Sequence, residues 1–588
     1  MPMLRHSTRI LRATTPKRGL VQRLSYRQVK YQSFASSSLV LEENDSHVLT
    51  SPYPSISNDG STPFTQFVTS PCIKPDGNVS EDKTAITDVI TGQTRTFGDY
   101  LSDAGSFSSH LQHDFGIDHN STIALFAPNH VDYVPICLAA ASCGAKLTPI
   151  NPQFKADELN KILDRSTSDV LIVHMNNMDV AMDAIKGTNV KHIITIPAED
   201  KGPVPVGTTS LCDLKDHPNP TTDTHGSVHG NTQNHPYLLP YSSGTTGLPK
   251  GVCLSHSNII SNLLQMETME NLAFPSNQKL ISPLPFFHIY GWLVSAIYSA
   301  WQGQEIITMQ KFDLEKFCEA VEKHKPHRAH LVPPIIIQLT KNPIVDNYDL
   351  SSLQMIVSAA APLSKDTEDN LLERIGCPVK QAWGMSELSP IALFTSDFNL
   401  RSGSVGHLTP DTFGKIVSPS GNSLPSGQDG ELMIKGPQVM MGYLNDTEKT
   451  AECLSTDGWL RTGDVARYDD DGFFFITDRI KELIKVRGYQ VAPAELEALL
   501  LTHPQLSDAA VIPVPDEMSG ELPRAYVTIK EGVAAEDVTE EDIKAWIKER
   551  VAPFKRLAGG VRFIDKVPKS ASGKILRRLL VDEVKAEQ

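Results

Sequence analysis

Tyr241-Ser242-Ser243-Gly244-Thr245-Thr246-Gly247-Leu248-Pro249-Lys250-Gly251-Val252 is the stretch on which the reading of this chain turns. Its three glycines let the backbone adopt positive φ and come close to a ligand. Ser242, Ser243, Thr245 and Thr246 supply hydroxyl donors, and Lys250 supplies one positive charge. Backbone N–H groups, hydroxyls and an ammonium together suit a polyphosphate. An apolar, strand-like segment, Tyr237 to Tyr241, leads into it. The stretch is not a Walker A loop, which requires G-x-x-x-x-G-K-[ST]; here Lys250 follows Pro249 and precedes Gly251. Gly573-Lys574 fails the same pattern because Ile575 follows. P-loop NTPase chemistry is therefore disfavoured.

Outward from this loop, short apolar runs alternate with helical patterns. Ser121 to Ala127 reads as a buried strand, Asp157 to Asp164 as a helix, and Asp169 to His174 and Lys191 to Ile196 as strands. Further on, Leu353 to Ser358 and Val379 to Ala382 are strand-like, with Lys365 to Arg374 helical between them. Such alternation predicts parallel sheets with helices packed on them. Residues 198–236 break the pattern and read as a long polar surface loop. Its histidines (His217, His225, His229 and His235) are too irregularly spaced for a metal motif. The last hundred residues form a separate α+β pattern, with Pro493 opening a helix to Leu501 and Thr539 with Asp542 forming a capping box. The fold class is α/β: a large N-terminal part with mixed and parallel sheets flanked by helices, plus a small α+β C-terminal part.

The chain has 588 residues, enough for several structural units. Hydrophobic residues make up 40% and charged residues 21%, which excludes bulk disorder. No run of about 18 apolar residues marks a spanning helix. The net charge of −15 argues against a general nucleic-acid binder. Eight scattered cysteines form no C-x-x-C pair, and read as free thiols in a reducing compartment. Charge is uneven. Residues 1–41 carry eight basic residues and no acidic one, so the remainder carries −23. Arg-rich, Ser-rich and acid-free, this segment has the composition of a mitochondrial presequence. The alternative is cytoplasmic residence with a basic tail.

Further motifs follow in order: Gln381-Ala-Trp-Gly-Met-Ser-Glu387, Gly442-Tyr443, Gly458-Trp-Leu-Arg-Thr-Gly-Asp464, Asp478-Arg-Ile-Lys-Glu-Leu-Ile-Lys-Val-Arg-Gly-Tyr-Gln490, and Pro568-Lys-Ser-Ala-Ser-Gly-Lys574. With the loop at 241–252 they resemble the adenylate-forming superfamily of acyl-CoA synthetases, peptide-synthetase adenylation domains and luciferases. The resemblance spans about residues 60–588. Pro285-Phe-Phe-His-Ile-Tyr290 and Gln490-Val-Ala-Pro-Ala-Glu-Leu-Glu497 make it most similar to 4-coumarate–CoA ligase and related aryl and medium-chain acyl-CoA ligases.

The resemblance implies ATP, CoA and Mg2+ as cofactors and a small carboxylic acid as substrate. It implies no nucleic acid, transmembrane segment or obligate protein partner. A carboxylate attacks the α-phosphate of ATP, and the thiol of CoA then attacks the acyl carbon and releases AMP. It implies a domain boundary with 42–480 binding nucleotide and acid, and 481–588 forming a mobile lid hinged at Lys481. Catalytic roles fall on Lys574, His288 and Lys481. Nucleotide contacts are expected from Ser242, Ser243, Gly244, Thr245, Thr246, Lys250, Gln381, Ala382, Trp383, Gly384, Ser386, Asp464, Arg479, Lys485 and Gln490. Glu387, supported by Thr246, is the expected metal ligand, and Lys311, Arg487 and Gly488 the expected CoA contacts. Ile289, Tyr290, Val294, Ala360 and Ala361 are expected to line the acyl pocket. Trp383 stands where Tyr is more usual, and Arg487 where Lys often stands. Gly384 replaces the tryptophan that closes the pocket in acetate-specific relatives, so an aryl or medium-chain acid is expected. Rival readings are a stand-alone adenylation enzyme loading a carrier protein, and an inactive adenylate-binding protein.

Overall fold

The computed structural model describes residues 47–70, 79–198, 202–216, 232–242, 250–270 and 278–587. The basic segment 1–41 lies outside them, as do residues 199–201 and 217–231 of the polar stretch. Ser243, Gly244, Thr245 and Thr246 of the phosphate loop also lie outside them.

Thr122–Phe126 is wholly buried and runs parallel to Lys146–Ile150 and Val170–His174, with His192–Ile196 parallel beyond. A run buried on both faces is what a helix-covered parallel sheet requires. The wholly buried helix Tyr133–Ser142 and the amphipathic Ala156–Ser166 are among the helices of this region. Antiparallel β1 (Lys250–Ser255) joins the sheet through Pro236–Leu238. Ser242 and Lys250 are register partners, so the two ends of the phosphate loop are held side by side.

A second sheet is parallel at its centre, with β2 (Arg328–Leu331), Met355–Ser358 and β3 (Val379–Gly384) as successive neighbours. Helix α1 (Pro333–Lys341) follows β2, and helix α2 (Lys365–Ile375) precedes β3. A buried ionic quartet ties this sheet to the helix His256–Glu270. Arg328 and Lys380 each reach Glu270 Oε1, at 2.7 and 2.6 Å, and each reaches Asp397, at 2.5 and 2.6 Å. Burial works against the Asp397 charge, yet Lys380 and Arg328 hold it well below the usual carboxylate range.

A third, antiparallel sheet contains β4 (Leu460–Tyr468) and β5 (Phe474–Arg479). A fourth contains the hairpin β6 (Ile484–Val486) and β7 (Tyr489–Val491), with helix α3 (Pro493–Leu501) after it. The apolar core changes over between β5 and β6. Buried side chains up to Phe474 fall in two apolar clusters, whereas those from Ile484 onward fall in two others. Large and small domains below refer to the residues on either side of this change.

Two expectations are corrected. The polar stretch is not loop throughout: Thr209–Ser210 pairs with Ile194–Thr195, and the turn Leu211–Leu214 buries both leucines. Pairing to a sheet edge and two apolar anchors decide this against a polar composition. Tyr237 to Tyr241 is not one strand, because it divides at Leu239–Pro240.

Candidate active site

Asp464 of β4 and Arg479 of β5 are register partners. The pairing brings Arg479 Nε to 3.1 Å from Asp464 Oδ1. The other carboxylate oxygen, Oδ2, accepts a 2.9 Å hydrogen bond from Trp383 Nε1, which β3 presents. Oδ1 has no hydrogen bond of good alignment in the protein, although it is buried. A buried carboxylate thus keeps one acceptor for a ligand donor. Burial raises the Asp464 pKa, against the pull of Arg479, the Trp383 N–H and Lys574.

Lys574 sits on a tight turn in which its N–H donates to Ser570 Oγ at 3.1 Å. Gly573 beside it has φ +80°, and a Cβ there would meet Val332 and Pro334 at 3.1–3.2 Å. The small-domain turn therefore rests against the start of α1. Burial and Arg479 lower the Lys574 ammonium to about 8, opposed by Glu482 and Asp464. Across the site, burial and the Lys574 charge hold His288 down to about 4, so its imidazole is neutral near pH 7. His288 Nδ1 accepts the Tyr290 N–H at 3.3 Å, which leaves Nε2 to carry the proton.

Glu387 lies on the helical turn Ser386–Leu388 just after β3, and is buried. Its Oε1 accepts a 2.9 Å hydrogen bond from Tyr443. Gly442–Tyr443 pairs with β1, and the Lys250 ammonium stands 4.6 Å from the centre of the Tyr443 ring. Tyr443 therefore joins the phosphate-loop lysine to Glu387, a link the bare sequence did not reveal.

The acyl-side residues Ile289, Tyr290 and Val294 are buried in or beside the helical run Tyr290–Ile297. Tyr290 Oη donates across the ends of two parallel strands, to Leu331 O at 3.3 Å and Val357 O at 3.1 Å. Ala360 and Ala361 follow one of those strands; Ala360 is exposed with φ +74°. Asn129, missed by sequence reasoning, positions this region. Its amide donates to Leu284 O, Thr308 Oγ1 and Met309 O and accepts from Phe286 N–H, fixing the turn that bears His288. The signal was a lone Asn after a buried strand and a proline.

These strand ends and the long arm to Lys574 fit one known architecture. A profile of the AMP-binding enzyme family matches residues 75–444, and a profile of the AMP-binding enzyme C-terminal domain matches 495–574. This chain belongs to the AMP-binding enzyme family. It is 40% identical over 474 residues to 4-coumarate:CoA ligase 1 of Petunia hybrida, covering 79% of this chain and 84% of that protein. To 4-coumarate–CoA ligase 2 of Nicotiana tabacum it is 38% identical over 512 residues, covering 85% and 92%. Among solved structures, the anthranilate CoA ligase AuaEII in complex with anthranoyl-AMP matches with a TM-score of 0.82 at 24% identity, covering 90% of this chain and 98% of that one. ATP-bound MatB from Rhodopseudomonas palustris matches with a TM-score of 0.78 at 25% identity, covering 89% and 99%.

Not every expected residue of this AMP-binding enzyme joins the cluster. Gln381 is buried with its amide donating to Leu363 O and Glu368 Oε1, at 3.0 and 2.7 Å, so its side chain braces α2. Ala382 pairs with Phe394 in the sheet. Gly384 is demanded by packing, since a Cβ would come within 1.9 Å of Pro390 O. That close approach, independent of pocket size, accounts for the missing side chain. Lys485 and Gln490 are exposed on the β6–β7 hairpin, and Arg487 and Gly488 form its turn with φ +51° and +85°. Arg487 Nε donates to Ser519 Oγ at 3.2 Å. Lys481 is exposed in the connection between β5 and β6, and Lys311 is exposed after the strand Glu305–Thr308. Arg577, which in sequence resembles a surface basic residue, is half-buried, its Nη2 donating to both carboxylate oxygens of Glu497 at 2.7–2.9 Å.

Proposed function

We propose that this enzyme is an ATP-dependent acid–CoA ligase that forms an acyl-adenylate and pyrophosphate, then an acyl-CoA and AMP. The observation that carries the reading is the convergence of Lys574, Asp464, Arg479, Trp383 and His288 from both domains on one site. A carboxylate lacks a good leaving group; adenylation supplies one and divides a hard step into two.

Lys574 bridges the acyl carboxylate and the ribose-phosphate region, where negative charge gathers as the carboxylate attacks phosphorus. His288, neutral, donates to the carboxylate without adding a second cation beside Lys574. Asp464 accepts from the ribose hydroxyls; its Oδ1, ion-paired with Arg479 but accepting no aligned hydrogen bond, supports this role. Trp383 stacks beside adenine while its N–H keeps Asp464 in place. Lys250 and the residues 242–246 hold phosphate oxygens. Glu387 is the residue that would hold Mg2+. A single carboxylate fits an ion bound chiefly by substrate phosphates, and no cluster of three or more candidate ligands occurs among the described residues. When bound, the ion neutralises phosphate charge. Arg487, Gly488 and Lys311 serve CoA in the second step, and Lys485 and Gln490 approach the nucleotide only when the small domain has turned.

The substrate is an aryl acid of the 4-coumarate type or a medium-chain fatty acid. The 4-coumarate–CoA ligase names of its relatives and the buried apolar Ile289, Tyr290 and Val294 support this. The composition of residues 1–41 supports a mitochondrial address, tested by the location of a fluorescent fusion with and without them.

The test is pyrophosphate release from ATP and Mg2+ with acetate, hexanoate, octanoate, benzoate, phenylacetate or 4-coumarate, each with and without CoA. Turnover with one aryl or medium-chain acid that depends on CoA is expected. A stoichiometric burst unchanged by CoA would transfer the proposal to another acceptor, such as a carrier protein.

A further inference from the structure

Helix α1 touches the small domain at both ends. At its start, Val332 and Pro334 support the Gly573–Lys574 turn so closely that a Cβ on Gly573 would be crowded. At its end, Lys341 Nζ crosses to the small domain and donates to Leu501 O at 3.0 Å and Leu506 O at 3.4 Å. Leu501 is the last residue of α3. The last carbonyls of a helix lack intrahelical partners and carry the negative end of its dipole, so a cation is favourable there.

Lys341 is also the last residue of α1 and is not used to cap its own helix. Arg374 of α2 does that, donating to Leu339 O, Thr340 O and Asn342 O at 3.2, 2.7 and 2.8 Å. The lysine is thereby left to serve the other domain. Beside it runs a cleft of about 390 Å³ lined by Lys341, Asp366, Leu501, His503 and Lys530. Burial and Lys530 lower the Lys341 ammonium to about 8, so docking removes hydration that release returns. A contact bordered by an open, polar cleft can part without exposing a dry core.

We propose that Lys341 is a positioning residue for adenylate formation, a latch from the large domain that caps α3 and holds Lys574 in the site. The proposal rests on the two-step reading above. It assigns to the remote end of α1 a function in the first step only. Once adenylate has formed, the latch has no further task, and its release accompanies withdrawal of Lys574.

The two half-reactions are measured separately on the full chain: acid-dependent exchange of pyrophosphate into ATP, and CoA-dependent consumption of preformed acyl-adenylate. Lys341→Met keeps the apolar stem and removes the donor; Lys341→Arg restores a cation. Loss of a charge-assisted hydrogen bond across an interface predicts exchange slower by about tenfold in Lys341→Met, with acyl-adenylate consumption unchanged or faster. Lys341→Arg should recover most of the exchange. Should Lys341→Met not fold, as thermal unfolding will show, Lys341→Ala, which also lacks a donor, carries the same comparison. Equal loss in both half-reactions, or no loss in exchange, overturns the latch. A wild-type enzyme with no acid-dependent exchange overturns the ligase reading instead, so the two failures are distinct.

Discussion

The Lys574 ammonium stands among Arg479, Asp464 and Glu482, and burial brings its pKa to about 8, within the range where activity is assayed. As the proposed cation of the first step, it is competent when protonated and is lost as pH rises through that value. The kcat/KM for ATP in pyrophosphate exchange reports the free enzyme. It should therefore decline above about pH 8. In Lys574→Arg the guanidinium stays charged, so a slower enzyme without that alkaline decline is expected. The same decline in Lys574→Arg would assign it to another group. His288, held near 4, should contribute no titration between pH 6 and 8. Lys574, Asp464 and Glu387 could be nominated from the sequence because each stands at a fixed place in a motif. The link from Tyr443 to Glu387 and the role of Asn129 could not, since each acts through contacts more than 50 residues distant in sequence. Gln381 is a motif residue whose side chain braces the fold.

Strand β3 illustrates how one element serves the core and the site together. Trp383 reaches Asp464, while Lys380, three residues earlier, lies wholly inside the protein against Glu270 and Asp397. Lys380→Met would leave two buried carboxylates with Arg328 as their remaining cation in the quartet. Breaking a buried ionic group by removing one partner costs about 3–5 kcal/mol. Urea unfolding should show a loss of that order; a loss below about 1 kcal/mol would mean that water or Arg328 compensates. The quartet was illegible because its members are dispersed over 128 positions and a lone charged residue reads as solvent-facing. Local signals fared better. Pro493 opens α3 and Thr539 with Asp542 caps the next helix, because those bonds are made within four residues. Thr209–Ser210 was missed because its strand character comes from the sheet edge it joins.

At the scale of the whole molecule, no apolar cluster among the described residues spans the connection between Ile476 and Ile484, and the site draws on both sides of it. The α+β pattern of the last hundred residues marked the small part, but not the contacts that hold it against the large one. Those contacts, Lys341 on α3 and Gly573 on α1, use backbone carbonyls and a missing Cβ, which leave no side-chain signature. In the arrangement seen, Lys574 occupies the site while the Arg487–Gly488 turn is exposed elsewhere on the same small domain. If CoA is to meet the acyl carbon, Lys574 must leave. The exposed Lys481 lies in a turn whose hydrogen bonds come from its neighbours: Ile480 N–H to Gly463 O, and Glu482 and Leu483 N–H to Arg479 O. Lys481→Pro fixes φ near −65° and restricts Ile480 as well. Pyrophosphate exchange should survive, because the arrangement that supports it need not change. Consumption of preformed acyl-adenylate by CoA should fall by at least about tenfold, or ~1.4 kcal/mol in the barrier. Equal loss in both steps would place the turning point elsewhere. The Lys341 variants are expected to fail in the opposite half-reaction. One substitution thus loosens the first arrangement and the other blocks departure from it, and a static enzyme could not show both defects.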